Sequence, residues 1–374
     1  MKQLTIISHT EHYRTAEGRI VGLGSTVTEI NHLIQIFDRI VHVAMLHNMQ
    51  PPSSALPYTS DKITFIPLPA VGGQGLSAKL SILTQAPTVL RRINQSLKTS
   101  DYFQFRAPTG IGVFVIPYLI FFSRKKGWFK YAGNWKQDDA PIAYALQRWL
   151  LKKQSRPVTI NGFWNDQPKH CLSFENPCLT QTELLQGKSA IKEKSFQCPI
   201  ELCFVGRLEA AKGLDVLLDA LEQLPHETSK KIAVVHIVGD GDEKSFYKKQ
   251  TLHSKLRYEF HGFLSRSGVQ AIYKRSHAIV LPSKSEGFPK VIAEAMNYGC
   301  LPIVSEVSSI GHYITHGSNG LLLPSFTTVA LLEQLQRFLE LTSEKFSEMT
   351  EAPAGFMERF TYDYYNERLL ETIL

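Results

Sequence analysis

Along the chain, short runs of β-branched and aromatic residues alternate with stretches whose apolar positions recur at helical spacing. The first pattern suits a strand buried on both faces and the second an amphipathic helix, so their alternation predicts a parallel α/β architecture. In the first half the pattern predicts strands over Leu4–Ser8, Ile40–His47, Lys62–Leu68, Tyr102–Arg106, Trp128–Ala132, Val158–Asn161 and Cys171–Glu175. Helices are expected between them, notably over Thr26–Asp38 and Leu76–Thr99. The second half repeats the alternation, with strands expected over Glu201–Val205, Ile232–Val238, Tyr258–His261, Ala278–Leu281 and Leu301–Val304. Between Pro177 and Pro199 the chain is polar without clear periodicity, which reads as a linker. The expected domains are therefore 1–178 and 199–355, each a doubly wound sheet, with a ligand cleft at the carboxyl ends of the strands.

Length agrees with two domains, since 374 residues exceed one ordinary domain. The hydrophobic share of 43% and charged share of 20% describe a chain with a sizeable core. The longest apolar stretch, Ile111–Phe122, is interrupted by Pro117 and is shorter than the ~18 residues of a membrane span. The first residues, MKQLTIISHTEH, put polar groups where a signal peptide carries its apolar segment, so a cytoplasmic chain is expected. Five cysteines without a CxxC pair suit reduced thiols better than disulfides or zinc. Charge is uneven: residues 1–180 hold 20 Lys+Arg against 10 Asp+Glu, and the remainder 21 against 24. A basic N-terminal half implies an anionic partner, but no nucleic-acid recognition module is present.

Candidate chemistry concentrates in the second half. In LPSKSEGFPKVIAEAMNYGCLPIVSE (Leu281–Glu306), a strand passes through a short loop to Pro289, which suits a helix start, and Gly299 closes the helix. Glu286 falls in the loop and Glu294 about five residues into the helix, ~7.5 Å along its axis. The first turn offers backbone N–H groups and a positive dipole end, a site for a diphosphate flanked by carboxylates that can accept sugar hydroxyls. The plainer reading makes Lys290 and Glu294 a surface pair, although Lys before Glu is the weaker order. Upstream, FVGRLEAAKGLDVLLDAL (Phe204–Leu221) places Arg207 and Lys212 between a buried strand and a helix. Two cations there can neutralise a leaving nucleoside diphosphate without a metal, although an isolated Arg and Lys at these positions would read as ordinary surface cations. VVHIVGDGD ends a strand in a turn through Gly239, Asp240 and Gly241.

These motifs, VGRL, KGLDVLLDAL, IVGDGD, HGFL, LPSKSEGFPKVIAEAMNYG and GSNGLLLP, resemble in order and spacing the family 4 retaining glycosyltransferases, over about 130 residues from Val205 to Pro324. The resemblance implies the GT-B fold, two Rossmann-like domains facing each other across a cleft. It implies a nucleoside-diphosphate sugar as donor substrate, with no separate cofactor and no metal. Glu286 would contact the transferred sugar and Glu294 the ribose, while Arg207 and Lys212 hold the diphosphate. Gly239 and the stretch Glu286, Gly287, Phe288, Pro289, Lys290 and Val291 would line the donor, with His261, Gly262, Phe263 and Leu264 bordering the base. Such enzymes also tend to return their last helix to the N-terminal domain, a role open to residues 356–374.

The N-terminal half resembles the family less. Gly22 and Gly24 stand for its glycine-rich donor loop, followed by Thr26-x-x-Glu29 as a capping box. Relatives often carry a histidine after the strand equivalent to Tyr102–Arg106; Arg106 stands here instead, with His9 and His12 as nearby alternatives. Arg106, Tyr131, Asn134 and Trp135 are candidate acceptor contacts, although an aromatic strand there equally suits core packing. A cluster at Arg124–Lys126, directly before Trp128 and Phe129, and a second at Lys152, Lys153 and Arg156, behind the helix Pro141–Leu151, suit an anionic membrane surface. Scattered solvated cations on an enzyme with a soluble acceptor give the same pattern. The expected acceptor is a saccharide, lipid-linked through a polyprenyl diphosphate, in bacterial surface polysaccharide synthesis. A sugar-nucleotide epimerase or phosphorylase of the same layout, or a non-catalytic nucleotide-sugar binder, is the alternative.

Overall fold

A computed structural model describes residues 2–73, 75–137 and 139–374, apart from the side chains of residues 76–79. The chain divides into two compact units, residues 1–175 with 362–374, and residues 176–361.

Among the described residues the first unit is built on nine strands: β1 (Gln3–Arg14), β2 (Ile20–Leu23), β3 (Arg39–His47), β4 (Ala55–Pro57), β5 (Ile63–Pro69), β6 (Tyr102–Ala107), β7 (Lys126–Tyr131), β8 (Val158–Ile160) and β9 (Cys171–Ser173). Seven lie parallel in the order β5-β3-β1-β6-β7-β8-β9, while β2 and β4 attach antiparallel at the end of β1. The stretch between Ser8 and Gly24, expected to carry the glycine-rich donor loop, is thus a strand and hairpin. β1 runs on past an irregularity between Ile7 and Glu11 and folds back as β2. Burial of His12 and Tyr13 in β1 and of Val21 and Gly22 in β2 anchors the extension.

Helix Gly24–Leu33 starts at Leu23 without a side-chain cap, so the expected Thr26–Glu29 capping box does not form. The expected helix over Leu76–Thr99 is two, Leu76–Thr84 and Ala86–Lys98, with a proline in the first turn of the second. The terminal helix Tyr362–Thr372 docks on the first unit. Asn366 donates to the carbonyl of His32 at 3.0 Å, and Tyr365 packs edge-on against Phe174.

The second unit holds six parallel strands: β10 (Ile200–Val205), β11 (Ile232–Val238), β12 (Tyr258–Gly262), β13 (Ala278–Leu281), β14 (Leu301–Ser305) and β15 (Leu321–Leu323), ordered β12-β11-β10-β13-β14-β15. Its core gathers Phe204, Leu217, Ile237, Val280, Ile303 and Leu335. The segment expected to be a linker is instead helix Gln181–Glu193, part of this unit. Thr180 and Glu183 cap it reciprocally, a local hydrogen-bond solution that hydrophobic periodicity does not register. Gly187 lets it close on Asn297, where a Cβ would lie 2.1 Å from the carbonyl oxygen.

Candidate active site

In the second unit β10 and β13 are neighbours, so the loops leaving their carboxyl ends meet. After β10 the chain turns through Gly206, Arg207 and a short helical turn, Ala210–Lys212, into helix Leu214–Glu222. Gly213 makes that turn at φ +74°, and a Cβ on it would lie 1.9 Å from the carbonyl oxygen of Pro282. Only glycine allows this backbone conformation and this approach together. The Lys284 N–H then donates to the Ala211 carbonyl at 3.0 Å, lacing the two loops. Their side chains meet as well: Lys212 Nζ lies 2.5 Å from Glu286 Oε1, and the glutamate side chain is 10% exposed. Arg207 stands 77% exposed and pairs with Glu209 at 2.7 Å.

Beyond Glu286 the loop is anchored from both sides. Ser309 donates to the Gly287 carbonyl at 3.0 Å, and Phe288 is buried against Tyr313 and Phe360. Pro289 is the N-cap of helix Lys290–Asn297, one position earlier than its composition suggests. Glu294 lies in that helix with 20% of its side chain accessible, and burial raises its carboxyl above the usual range against the pull of Arg266 and Lys290. Arg266 Nη1 approaches Glu294 to 3.6 Å while its Nη2 donates to Glu183 at 2.6 Å. A guanidinium shared between two carboxylates orients both. Sequence reasoning missed this residue because its partners lie 83 and 28 positions away in the chain.

The other donor candidates lie on the same unit. Gly239, at φ +134°, follows β11 with its N–H on the Gly262 carbonyl at 2.8 Å. Phe263 is exposed beside the half-buried Leu264. The His261 ring is turned toward His236, with 2.9 Å between nitrogens.

In the first unit the candidates have packing roles. Gly22 lies in β2 opposite His12, and a Cβ there would sit 2.4 Å from the imidazole. A Cβ on Gly24 would lie 2.7 Å from the Ser54 carbonyl. Close packing accounts for both glycines without a phosphate. His12 is fully buried, in a chain of hydrogen bonds that one donor order satisfies. Ser8 donates to His42 (2.8 Å), His42 to Tyr58 (2.6 Å), Tyr58 to His12 (2.8 Å), and His12 to the Thr10 carbonyl (3.0 Å). Both imidazoles are neutral in that order, and burial holds His12 down at about 4 and His42 well below its usual value. His9 meets the Val71 carbonyl at 2.8 Å and is likewise lowered by burial.

Arg106 donates to Glu29 at 2.8 Å, and Lys130 donates to the same carboxylate oxygen at 2.6 Å. The buried glutamate thus replaces the expected cap with a three-residue ion cluster. Tyr131 and Trp135 are buried edge-to-face, 5.0 Å apart, and burial pushes the Tyr131 hydroxyl up to about 12. Of the four acceptor candidates, the side chains of Tyr131 and Trp135 serve the core, Arg106 is held by Glu29, and Asn134 stays partly accessible. Trp128 and Phe129 are also core residues rather than an aromatic surface. Arg156 donates to the carbonyls of Ile120 and Ser123, which removes it from the basic cluster.

Residues 187–353 match the family Glycosyl transferases group 1. That match falls within the second unit, and the fold is GT-B. Glycogen synthase of Mycobacterium tuberculosis is 26% identical over 185 residues, covering 47% of this chain and 44% of the relative. The chain thus spans 30–44% of the length of the curated relatives it matches. Among solved structures, Anabaena HepE in complex with UDP and glucose superposes with a TM-score of 0.69 at 15% identity, over 100% of this chain and 99% of that one. The lipopolysaccharide outer core galactosyltransferase WaaB follows the same fold with a TM-score of 0.67 at 17% identity, over 99% and 98%.

Proposed function

We propose that this chain is a metal-independent, retaining glycosyltransferase that moves a sugar from a nucleoside-diphosphate donor to a saccharide acceptor. The observation that carries the reading is the Lys212–Glu286 ion pair at the carboxyl edge of the second sheet, with Arg207 earlier in the same loop as Lys212 and Glu294 in the helix that follows. An ammonium has three donors, so Lys212 can hold Glu286 and a phosphate oxygen together. Arg207, exposed and lightly tethered, is the second counter-charge. The first turn of helix Lys290–Asn297 faces its backbone N–H groups to the same anion. Glu286 takes hydroxyls of the transferred sugar and Glu294 those of the ribose, with Phe263 beside the base. The bond from the sugar's anomeric carbon to the diphosphate breaks while a bond to the acceptor oxygen forms on the same face. The acceptor's proton passes to the departing phosphate. Arg207 and Lys212 stabilise the charge that develops there. Binding of UDP by HepE fits this chemistry.

For the acceptor we favour a lipid-linked saccharide of a surface polysaccharide, reached at an anionic membrane face. Helix Ile142–Lys153 supports this with an exposed stripe of Ile142 (88%), Leu146 and Trp149 (56%), next to Lys152 and Lys153. Phe121 and Phe122 are exposed just before Arg124 and Lys125. Among the described residues no helix is long and apolar enough to cross a membrane, so such contact is interfacial. Sedimentation with anionic and neutral vesicles tests it. Salt-sensitive binding to anionic vesicles, weakened by Ile142→Ser with Trp149→Ser, is expected. Absence of binding under every condition would remove the membrane part of the reading.

A further inference from the structure

The sheet of the second unit ends at β12, where three side chains converge that the proposed transfer chemistry does not use. His236 of β11 stands in register with Glu259 of β12. The ladder then slips: Phe260 pairs with Ile237, but the next pair is Gly262 with Val238, leaving His261 as the extra residue. An inserted residue of this kind re-aims its side chain. Here it brings His261 Nε2 to 2.9 Å from His236 Nδ1. Glu259 Oε2 lies 3.4 Å from the His236 nitrogen and 3.7 Å from that of His261. Those two separations are longer than an N–H···O bond of ~2.7–3.2 Å, so hydrogen bonding accounts for one edge of the triangle only. Ligands ~2.0–2.1 Å from a tetrahedral ion stand about 3.3–3.4 Å apart, a value inside the range of these three edges.

The surroundings fit the same reading. The buried His236 ring directs Nε2 to Glu201 Oε2 at 2.9 Å, which fixes the tautomer and leaves the Nδ1 lone pair toward the other two groups. Arg275 holds Glu201 in turn at 3.1 Å. A carboxylate behind a ligating histidine is the usual outer shell of a zinc site. Arg257 pairs with Glu259 Oε1 and leaves Oε2 to the imidazoles. Glu259 and His261 are partly accessible, which gives an ion an entry path.

We propose that His236 Nδ1, His261 Nε2 and Glu259 Oε2 bind a zinc-class divalent ion, with water as the fourth ligand, clipping β12 to β11. The ion is structural and takes no part in sugar transfer. The proposal stands apart from the donor reading.

Full-length, untagged protein stripped with a chelator is titrated with zinc chloride by calorimetry and thermal unfolding. One zinc per chain and a raised Tm are expected. His261→Ala and Glu259→Gln, both at partly exposed positions, should each lose at least ~10-fold in affinity. Glu201→Gln should lose ~10- to 100-fold through the outer shell. Cobalt(II) alone should give the visible absorption of a tetrahedral site, absent in His261→Ala. Lack of stoichiometric zinc binding, or wild-type affinity in both His261→Ala and Glu259→Gln, would overturn the proposal. Nucleoside-diphosphate titrations of the same variants report on the donor site separately.

Discussion

Both units put glycines, cations and carboxylates near the carboxyl ends of parallel strands, yet they use them in opposite ways. In the first unit the charges close on one another: Glu29 is buried between Arg106 and Lys130, and the histidines at β1 and β3 are neutral links in a hydrogen-bonded chain. In the second unit Arg207 is largely exposed, and Lys212, Glu286 and Glu294 stay partly open. Residue type and position on the sheet are therefore weak guides to a site. What separates a site from a scaffold is whether its polar groups keep capacity for a ligand.

The sharpest way to break this contrast is to remove the buried carboxylate. Glu29→Ala takes the shared buried carboxylate from Arg106 and Lys130, and a loss of about 3–5 kcal/mol is expected. Denaturant unfolding measures it. Unchanged stability with lost activity would move Glu29 from scaffold to site.

The mirror experiment is in the second unit. Arg207→Ala and Lys212→Ala should each lower turnover about 100- to 1,000-fold. Stability of Arg207→Ala should stay within about 0.5 kcal/mol, as for other exposed positions. Steady-state kinetics alongside thermal melts check both. Near-wild-type turnover in folded mutants would contradict the assignment.

A gentler probe is pH. His12 is depressed from 6.5 to about 4 by burial, so the unfolded chain binds the proton more readily between those values. The stabilisation from keeping His12 neutral is full above pH 6.5 and falls away as pH drops toward 4. At ~1.4 kcal/mol per pH unit it amounts to about 3 kcal/mol. Stability measured across that window should fall in the wild type and more gently in His12→Gln. Identical slopes would show that His12 is not the group responsible.

The same contrast explains what was legible in the sequence. The strands of the second unit and the loops that carry Lys212 and Glu286 rest on local patterns: buried apolar runs, Gly213, and Pro289 ahead of an amphipathic helix. That the two side chains pair, 74 positions apart, does not. The three-residue β15 was too short to leave a period. The N-terminal glycines misled because Gly22 answers to the His12 ring, a contact across a hairpin that composition does not announce. Tyr131 and Trp135 were ambiguous on the same ground, since an aromatic strand end can face a cleft or a core, and tertiary packing chose the core. Arg266 and the His236–Glu259–His261 cluster depend on strand register and distant partners.

The central claim is that the open charged set of the second unit binds a nucleoside-diphosphate sugar, with Glu294 on the ribose and Glu286 on the transferred sugar. Calorimetry with a panel of free nucleoside diphosphates on wild type, Glu294→Ala and Glu286→Ala tests it most directly. The account predicts that at least one nucleoside diphosphate binds the wild type, that Glu294→Ala weakens this about tenfold or more, the scale of one lost charged hydrogen bond, and that Glu286→Ala leaves it unchanged. No binding by any member of the panel, or equal losses in the two variants, would contradict it.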